Sequence, residues 1–333
     1  MSAHEDARSP EEFPAIIGAG LLRRLVTMPD AISASRRAFI AAARGEVTGP
    51  LRSSLSRRRV LIMPAEHASG SGLIKVVSLQ QDGWAHGLPS IGGTVLWIDG
   101  PTGRISAQVD AAALTALRTG AASGLATDLL ADPASRVLAM LGAGDQAPDQ
   151  VAGVCAVRPI REVRVYSRRS RRSRELCQLL QASYPGIAFT PVPSPEQAVD
   201  GADVICTATR AATPLLRAGD LQRRVHINAV GAYRLDMSEI HPDVFGQADL
   251  VVIDQLDATL AEAGDVVTAL QDGRLRREDL VEIGAMLTGA AAPVNAAAQR
   301  GLTIFKSVGI AAQDWSACEL AVRRAREAGA IPG

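Results

Sequence analysis

Residues 136–147 read RVLAMLGAGDQA: an apolar run, then a glycine-rich turn, then the start of a helical stretch. The run 136–141 has the length and continuity of a buried strand. In the turn, Gly142 permits a sharp change of direction and Gly144 lets a ligand approach the backbone. Ala147 is small enough for close packing of helix on strand. With Ala143, Asp145 and Gln146 between them, these residues form a G-x-G-x-x-A loop, and the free N–H groups of the helix behind it face a pyrophosphate. Strand, loop and helix in that order, opening a βαβ series, are the fingerprint of a dinucleotide-binding sheet.

Toward the C-terminus the series continues. Apolar strands are expected at 162–167 (EVRVYS), 203–208 (DVICTA), 225–230 (VHINAV) and 249–254 (DLVVID). Helices near 146–157, 170–182 and 194–200 separate the earlier ones, and helices near 278–288 and 312–328 close the chain. Continuous apolar strands spaced by single helices predict a parallel, doubly wound sheet, an α/β fold. Toward the N-terminus the pattern differs. A helix over 28–45, with Thr27 as its cap, precedes short strands at 60–63, 73–79, 93–98 and 104–109. These predict a compact antiparallel sheet with one helix, joined to the rest by an alanine-rich helix over 111–131.

The second strand of the parallel series ends in Ser167-Arg168-Arg169-Ser170. An NAD enzyme normally carries an acid there, about 20 residues past the glycine loop, for the ribose 2′-hydroxyl. Two guanidiniums and two hydroxyls suit a 2′-phosphate instead, so NADP(H) is favoured and NAD(H) is possible. The rival reading is a solvated basic turn, since Arg171, Arg172 and Arg174 extend the run.

Composition narrows the function classes. The 333 residues leave room for two domains, and 35 basic residues balance 35 acidic ones. Without a basic stripe or charge asymmetry, neither nucleic acid nor a membrane surface is an expected partner. No apolar run approaches the ~20 residues of a membrane span. The polar, acidic first residues read as a short leader rather than a signal peptide. Cys155, Cys177, Cys206 and Cys318 are dispersed, so neither a disulfide framework nor a metal site is expected, and a reducing cytoplasm fits. Of the 35 basic residues only Lys75 and Lys306 are lysines. Where arginine is so consistently chosen, a retained lysine suggests a task for a compact ammonium that can release its proton.

Several stretches together resemble the ornithine cyclodeaminase/mu-crystallin family: MPAEHASGSGLIKVVSL (63–79), ALRTGAASGLATDLLA (116–131), LGAGDQA (141–147), HINAVGA (226–232), EAGDV (262–266) and FKSVG (305–309). The resemblance runs in order from about residue 28 to 325. It implies a Rossmann domain (118–311) inserted into an α+β substrate-binding and dimerisation domain (1–117 and 312–333), and a homodimer. It also implies that Arg52, Lys75 and Arg118 hold a substrate carboxylate. A guanidinium grips a planar carboxylate with two parallel bonds, and a lysine interrupting an apolar strand is costly to bury unpaired. The resemblance places Thr207, Ala208, Thr209, Val230, Gly231 and Lys306 at the cofactor, beside the glycine loop and the 167–170 turn.

At one position the sequence departs from the family's cyclodeaminases. Two residues past the glycine of Val230-Gly231, where they carry an aspartate for the substrate amino groups, this chain has Tyr233. Asp236 and Glu239, spaced D-x-x-E, read as the cap of a following helix. The expected activity is therefore NAD(P)H-dependent reduction of a small cyclic imino acid, such as 1-pyrroline-2-carboxylate or 1-piperideine-2-carboxylate. Lys75 either binds the carboxylate or relays a proton to the imine nitrogen, and Tyr233 faces the substrate. The alternatives are an ornithine or lysine cyclodeaminase, an open-chain amino-acid or opine-type dehydrogenase, and a non-catalytic binder of NADPH and a small ligand. His67, His86, His226 and His241 lack ligand or triad spacing and receive no role.

Overall fold

The computed structural model describes residues 14–55, 60–80, 89–291 and 301–332. The expected N-terminal leader and His86 lie outside them.

The N-terminal half forms a seven-stranded sheet. Its strands are β1 (Ala15–Ile17), β2 (Val47–Thr48), β3 (Ser53–Ser54), β4 (Val60–His67), β5 (Gly72–Leu79), β6 (Ile91–Ile98) and β7 (Ile105–Asp110). They lie in the order β1-β7-β6-β5-β4-β2, with β3 beside β4. All pairings are antiparallel except β1 on β7, which is parallel. Helices α1 (Ala19–Leu25) and α2 (Met28–Ala43) precede most of the strands. Thr27 caps α2 as expected: its hydroxyl accepts from Asp30 N, and the Asp30 carboxylate accepts from the Thr27 backbone in return. Helix α1 escaped the sequence reading, having one fully buried residue, Leu22, and no side-chain cap.

Helix α3 (Ala111–Leu130) connects the two sheets. Asp110 caps its start by accepting from Ala113 N at 2.8 Å. At its end Arg158 donates to the carbonyls of Thr127, Asp128 and Ala131, satisfying orphaned helix acceptors. Nearly every residue of α3 is buried, as suits a helix clasped on all sides.

The second sheet contains β8 (Val137–Leu141), β9 (Glu162–Tyr166), β10 (Ala188–Val192), β11 (Val204–Thr207), β12 (Val225–Ala229), β13 (Leu250–Ile253), β14 (Leu280–Glu282) and β15 (Leu302–Lys306). All its pairings are parallel, in the order β10-β9-β8-β11-β12-β15-β13-β14. This is the doubly wound architecture expected, with the chain reversing direction across the sheet between β8 and β11. Three strands were not foreseen. Residues 280–282, expected to be helical, form β14, and helix α10 (Ile283–Thr288) begins only after them. Edge strand β10 carries Pro191, and β15 inserts between β12 and β13. Helices α4 (Ala147–Cys155), α5 (Ser170–Ser183), α6 (Pro195–Val199), α7 (Pro242–Phe245), α8 (Leu256–Glu262) and α9 (Gly264–Gln271) fill the connections. Helix α11 (Ala311–Glu327) returns to pack on α2, α3 and β4.

Candidate functional site

The glycine loop leaves β8 at the switch point of the sheet, the crevice where doubly wound folds bind ligands. Gly142 has φ 110°, and a Cβ there would lie 2.6 Å from the Ala208 carbonyl, so only glycine lets the loops after β8 and β11 pass. At Gly144, by contrast, a Cβ would meet nothing within 4 Å. The cradle is open on the side that a pyrophosphate needs. Gln146, at the cap of α4, has a buried Oε1 without a hydrogen-bond partner among the described residues. Residues 142–147 thus fit a dinucleotide. The Asp145 carboxylate is engaged elsewhere, accepting from the backbone N and the hydroxyl of Ser90 at 2.7 Å each.

The remaining expected cofactor residues lie at the ends of neighbouring strands. Ser167 follows β9 and is half-buried, while Arg168, Arg169 and Ser170 are exposed at the start of α5. Thr207, Ala208 and Thr209 follow β11, and Val230 and Gly231 follow β12. One buried carboxylate ties these last two loops together. Glu239 accepts from Thr207 Oγ1 (2.8 Å), Thr209 N (2.6 Å), Thr209 Oγ1 (2.7 Å), Gly231 N (2.7 Å) and Ala232 N (3.1 Å). The expectation that Asp236 and Glu239 cap a helix is therefore corrected. Asp236 pairs with Arg234, and His241 caps α7. Local spacing imitated a cap, while five donors on two other loops recruited the carboxylate.

Lys306, also expected at the cofactor, is held by a buried carboxylate. It ends β15 with no exposed surface, and its ammonium lies 3.0 Å from Asp265 Oδ2, itself fully buried. Its charge also acts on Glu239: burial pushes that carboxyl up, and the Lys306 charge pulls it back down.

The four expected substrate residues converge. Arg52, Lys75, Arg118 and Tyr233 line one cavity, which also borders Gln146 and Val230. Alternation along β5 points Lys75, with Leu73 and Val77, to the inner face of the sheet. Its Nζ donates to Asp314 Oδ2 at 2.6 Å, and Arg118 Nε donates to Asp314 Oδ1 at 3.1 Å. Burial pushes the Lys75 ammonium down to about 8, although Asp314 opposes the shift. Burial acts to raise Asp314, but the charges of Lys75 and Arg118 outweigh it and hold that carboxyl below its usual range. Arg52 Nε pairs with Glu262 at 2.9 Å, and its NH2 donates to the carbonyls of Val308 and Gly309. Burial raises Glu262 to about 7, against the pull of Arg52. The 307–309 loop is in turn fixed by Asp254, which accepts from Ser307 Oγ, Val308 N and Gly309 N. Gly309 has φ 85°, and a Cβ there would sit 2.4 Å from Arg118 NH1. With both carboxylates ionised, three cations face Asp314 and Glu262, leaving one net positive charge for a ligand.

Asp314, Glu262, Asp254 and Glu239 were not foreseen as site groups. Thr115 was also missed; it lines the cavity one turn before Arg118, with its buried hydroxyl unpartnered among the described residues. Among the histidines, His226 is buried and bonded with Thr303 Oγ1 and Asn228 Oδ1. His67 stacks on Trp315 at 4.3 Å and helps dock α11. Among the described residues no cluster of three His, Cys, Asp or Glu could hold a metal, and no helix is long and apolar enough to cross a membrane. A larger hollow lies beyond Arg52 and Glu262, but none of residues 142–147 reaches it.

A Rossmann sheet whose glycine loop abuts a cation-lined cavity defines a nicotinamide-dinucleotide-binding enzyme class. The chain belongs to the ornithine cyclodeaminase/mu-crystallin family, whose model matches residues 21–329. It is 33% identical over 323 residues to the Delta(1)-pyrroline-2-carboxylate reductase of Bacillus cereus, covering 94% of this chain and 97% of that protein. It is also 33% identical over 260 residues to the ketimine reductase mu-crystallin of Mus musculus, covering 78% of each. Among solved structures, the Delta(1)-pyrroline-2-carboxylate reductase of Thermococcus litoralis, in complex with NADH and L-proline, superposes with a TM-score of 0.89. The identity there is 30%, covering 95% of this chain and 98% of the other.

Proposed function

We propose that the protein is an NAD(P)H-dependent reductase of small cyclic imino acids such as 1-pyrroline-2-carboxylate or 1-piperideine-2-carboxylate, forming the L-amino acid. The observation that carries this is the convergence of Arg52, Lys75 and Arg118 on a cavity that borders the glycine loop and has Tyr233 in its wall. One net positive charge suits a monocarboxylate. The wall otherwise consists largely of apolar side chains such as Leu61, Met63 and Val77, which accept the ring carbons, and among the described residues no aspartate or glutamate lines it for a second amino group. That absence weighs against a diamino-acid cyclodeaminase.

When bound, the dihydronicotinamide supplies a hydride to the imine carbon. Arg118 and Arg52 orient the substrate carboxylate, and orientation of a single electrophile accounts for much of the expected acceleration. Lys75 Nζ donates a proton to the imine nitrogen as the C=N π bond is lost, and the resulting amine regains a proton from solvent. Thr115 Oγ1 is free to hold either the carboxylate or the nitrogen. The assay is direct: NADPH with a cyclic ketimine acid, followed by loss of reduced-cofactor absorbance, with ornithine and lysine tested separately for ammonia release. Turnover in the first supports the reductase. Ammonia in the second, without turnover in the first, replaces it with the lyase.

Cofactor choice follows from the turn after β9. Arg168 is exposed, and no ion pair engages it among the described residues. We expect NADPH to be preferred over NADH by about tenfold or more, the scale of one or two charge-assisted bonds. Michaelis constants for both cofactors test this. A clear NADH preference, unchanged in Arg168→Ala, overturns it.

The same reading assigns residues 1–117 and 312–333 to a substrate-binding and dimerisation unit. The inner face of its sheet packs on α3 and α11. The outer face carries Ile62, Ile74, Val76 and Leu96 at half-buried positions, an apolar surface that a two-fold copy would cover. Light scattering at micromolar concentration is expected to report twice the 34.8 kDa chain mass. A stable, active monomer would rule the dimer out.

A further inference from the structure

Asp314 has no counterpart in the sequence reading, yet it touches both cations at the centre of the cavity. It stands in the first turn of α11, almost 200 residues after Arg118 and farther still from Lys75, and has no exposed surface. Its two oxygens are divided, Oδ2 to Lys75 at 2.6 Å and Oδ1 to Arg118 at 3.1 Å. The Arg118 guanidinium also reaches Gln313 Oε1, which in turn accepts from Ile310 N at the helix start. The stack of His67 on Trp315, with Trp315 Nε1 donating to Ser71 Oγ, holds this turn of α11 against β4 and β5. The carboxylate is thus fixed independently of the groups it binds.

We propose that Asp314 is the positioning residue of the site, holding Lys75 protonated and aimed at the substrate nitrogen while it orients Arg118 for the carboxylate. Among the described residues, the charged groups around Lys75 are few. Asp314 comes from α11, Arg118 from α3, and Arg52 from the segment between β2 and β3, with Glu262 of α8 reached only through Arg52. The neighbours of Lys75 across the sheet, Met63 and Val95, carry no charge. Two cations and deep burial therefore drive Lys75 toward the neutral amine, and among the described residues Asp314 is the group that acts directly against them. A single carboxylate bridging both cations also leaves two of the three Lys75 donors unengaged among the described residues, so a substrate nitrogen can be met without breaking the pair.

The aim of Lys75 at a substrate nitrogen rests on the reductase reading. Its protonation does not, and the test separates the two. With only two lysines in the chain, lysine labelled with carbon-13 at Cε gives two resonances, and Lys75→Arg identifies which belongs to Lys75. In the native protein that resonance is expected to titrate near pH 8. In Asp314→Asn the midpoint should move toward acid by about 1–3 pH units, the effect of losing an adjacent opposite charge. Asp314→Glu, which keeps the charge, should retain the native midpoint. The alkaline limb of kcat/KM for imino-acid reduction should move with the resonance. A purely structural role would lower thermal stability in these variants and leave the midpoint in place, which overturns the proposal. Should Asp314→Asn fail to fold, Asp314→Ser carries the same measurement. Native protein that turns over no imino acid refutes the reductase reading, while the titration still decides the role of Asp314.

Discussion

Lys306→Met is expected to destabilise the protein by about 3–5 kcal/mol, the scale for removing one partner of a buried ion pair. Methionine matches the length of the lysine stem, so the cost is electrostatic rather than a cavity. In the native protein Lys306 and Asp265 have no exposed surface and meet at 3.0 Å. Without the ammonium, Asp265 is an uncompensated buried charge, and Glu239 loses the cation that offsets its burial. Urea denaturation followed by circular dichroism measures the loss. The double variant Lys306→Met/Asp265→Asn should be less destabilised than Lys306→Met alone, because no charge is then stranded at residue 265 and Asn keeps the acceptor used by Val266 N. A cost below about 1 kcal/mol for the single variant, the range of exposed pairs, would show that water reaches this pair.

The same residue shows where the sequence was legible and where it was not. The glycine loop and the strands around it were readable because their constraints are local: Gly142 must turn, β8 must be continuous and apolar, and the helix must begin at once. Strand β15 was not. Leu302–Lys306 is five residues long and buried throughout, and a short apolar run has no periodicity to separate it from a buried turn of helix. Its place between β12 and β13 depends on pairing with strands about 50 and 75 residues away. Strand β10 was hidden for the opposite reason: it is mostly exposed and carries a proline that only an edge strand tolerates.

The site divides along the same line. Arg52, Lys75, Arg118 and Tyr233 were found through a resemblance carried by short motifs, and Lys75 also through the chain's preference for arginine. The carboxylates that set their geometry had no such signal. Asp314 is an ordinary acid in the first turn of a helix, where it favours the helix dipole in any protein. Glu239 fell three residues after an aspartate and imitated a cap. What distinguishes both is burial among distant partners, which no local spacing encodes.

Lys75→Arg tests most directly whether this lysine is chemistry or charge. The side chain is 2% exposed on the inner face of β5, with Asp314 Oδ2 at 2.6 Å and the Arg118 guanidinium already on the other oxygen. An arginine there keeps the positive charge. It must also fit a second planar guanidinium beside the first, and overpacking of this kind costs about 1–3 kcal/mol. More important, it cannot release a proton near neutral pH. If Lys75 is the proton donor, kcat/KM should fall at least ~100-fold, the lower end of a general acid–base contribution. NADPH binding, read by cofactor fluorescence, and the circular dichroism spectrum should persist, since the glycine loop and the 167–170 turn are untouched. Near-native turnover by the arginine variant would make Lys75 an electrostatic anchor alone. The proton must then come from water or from Tyr233, which shares the cavity, and Tyr233→Phe would distinguish those two sources.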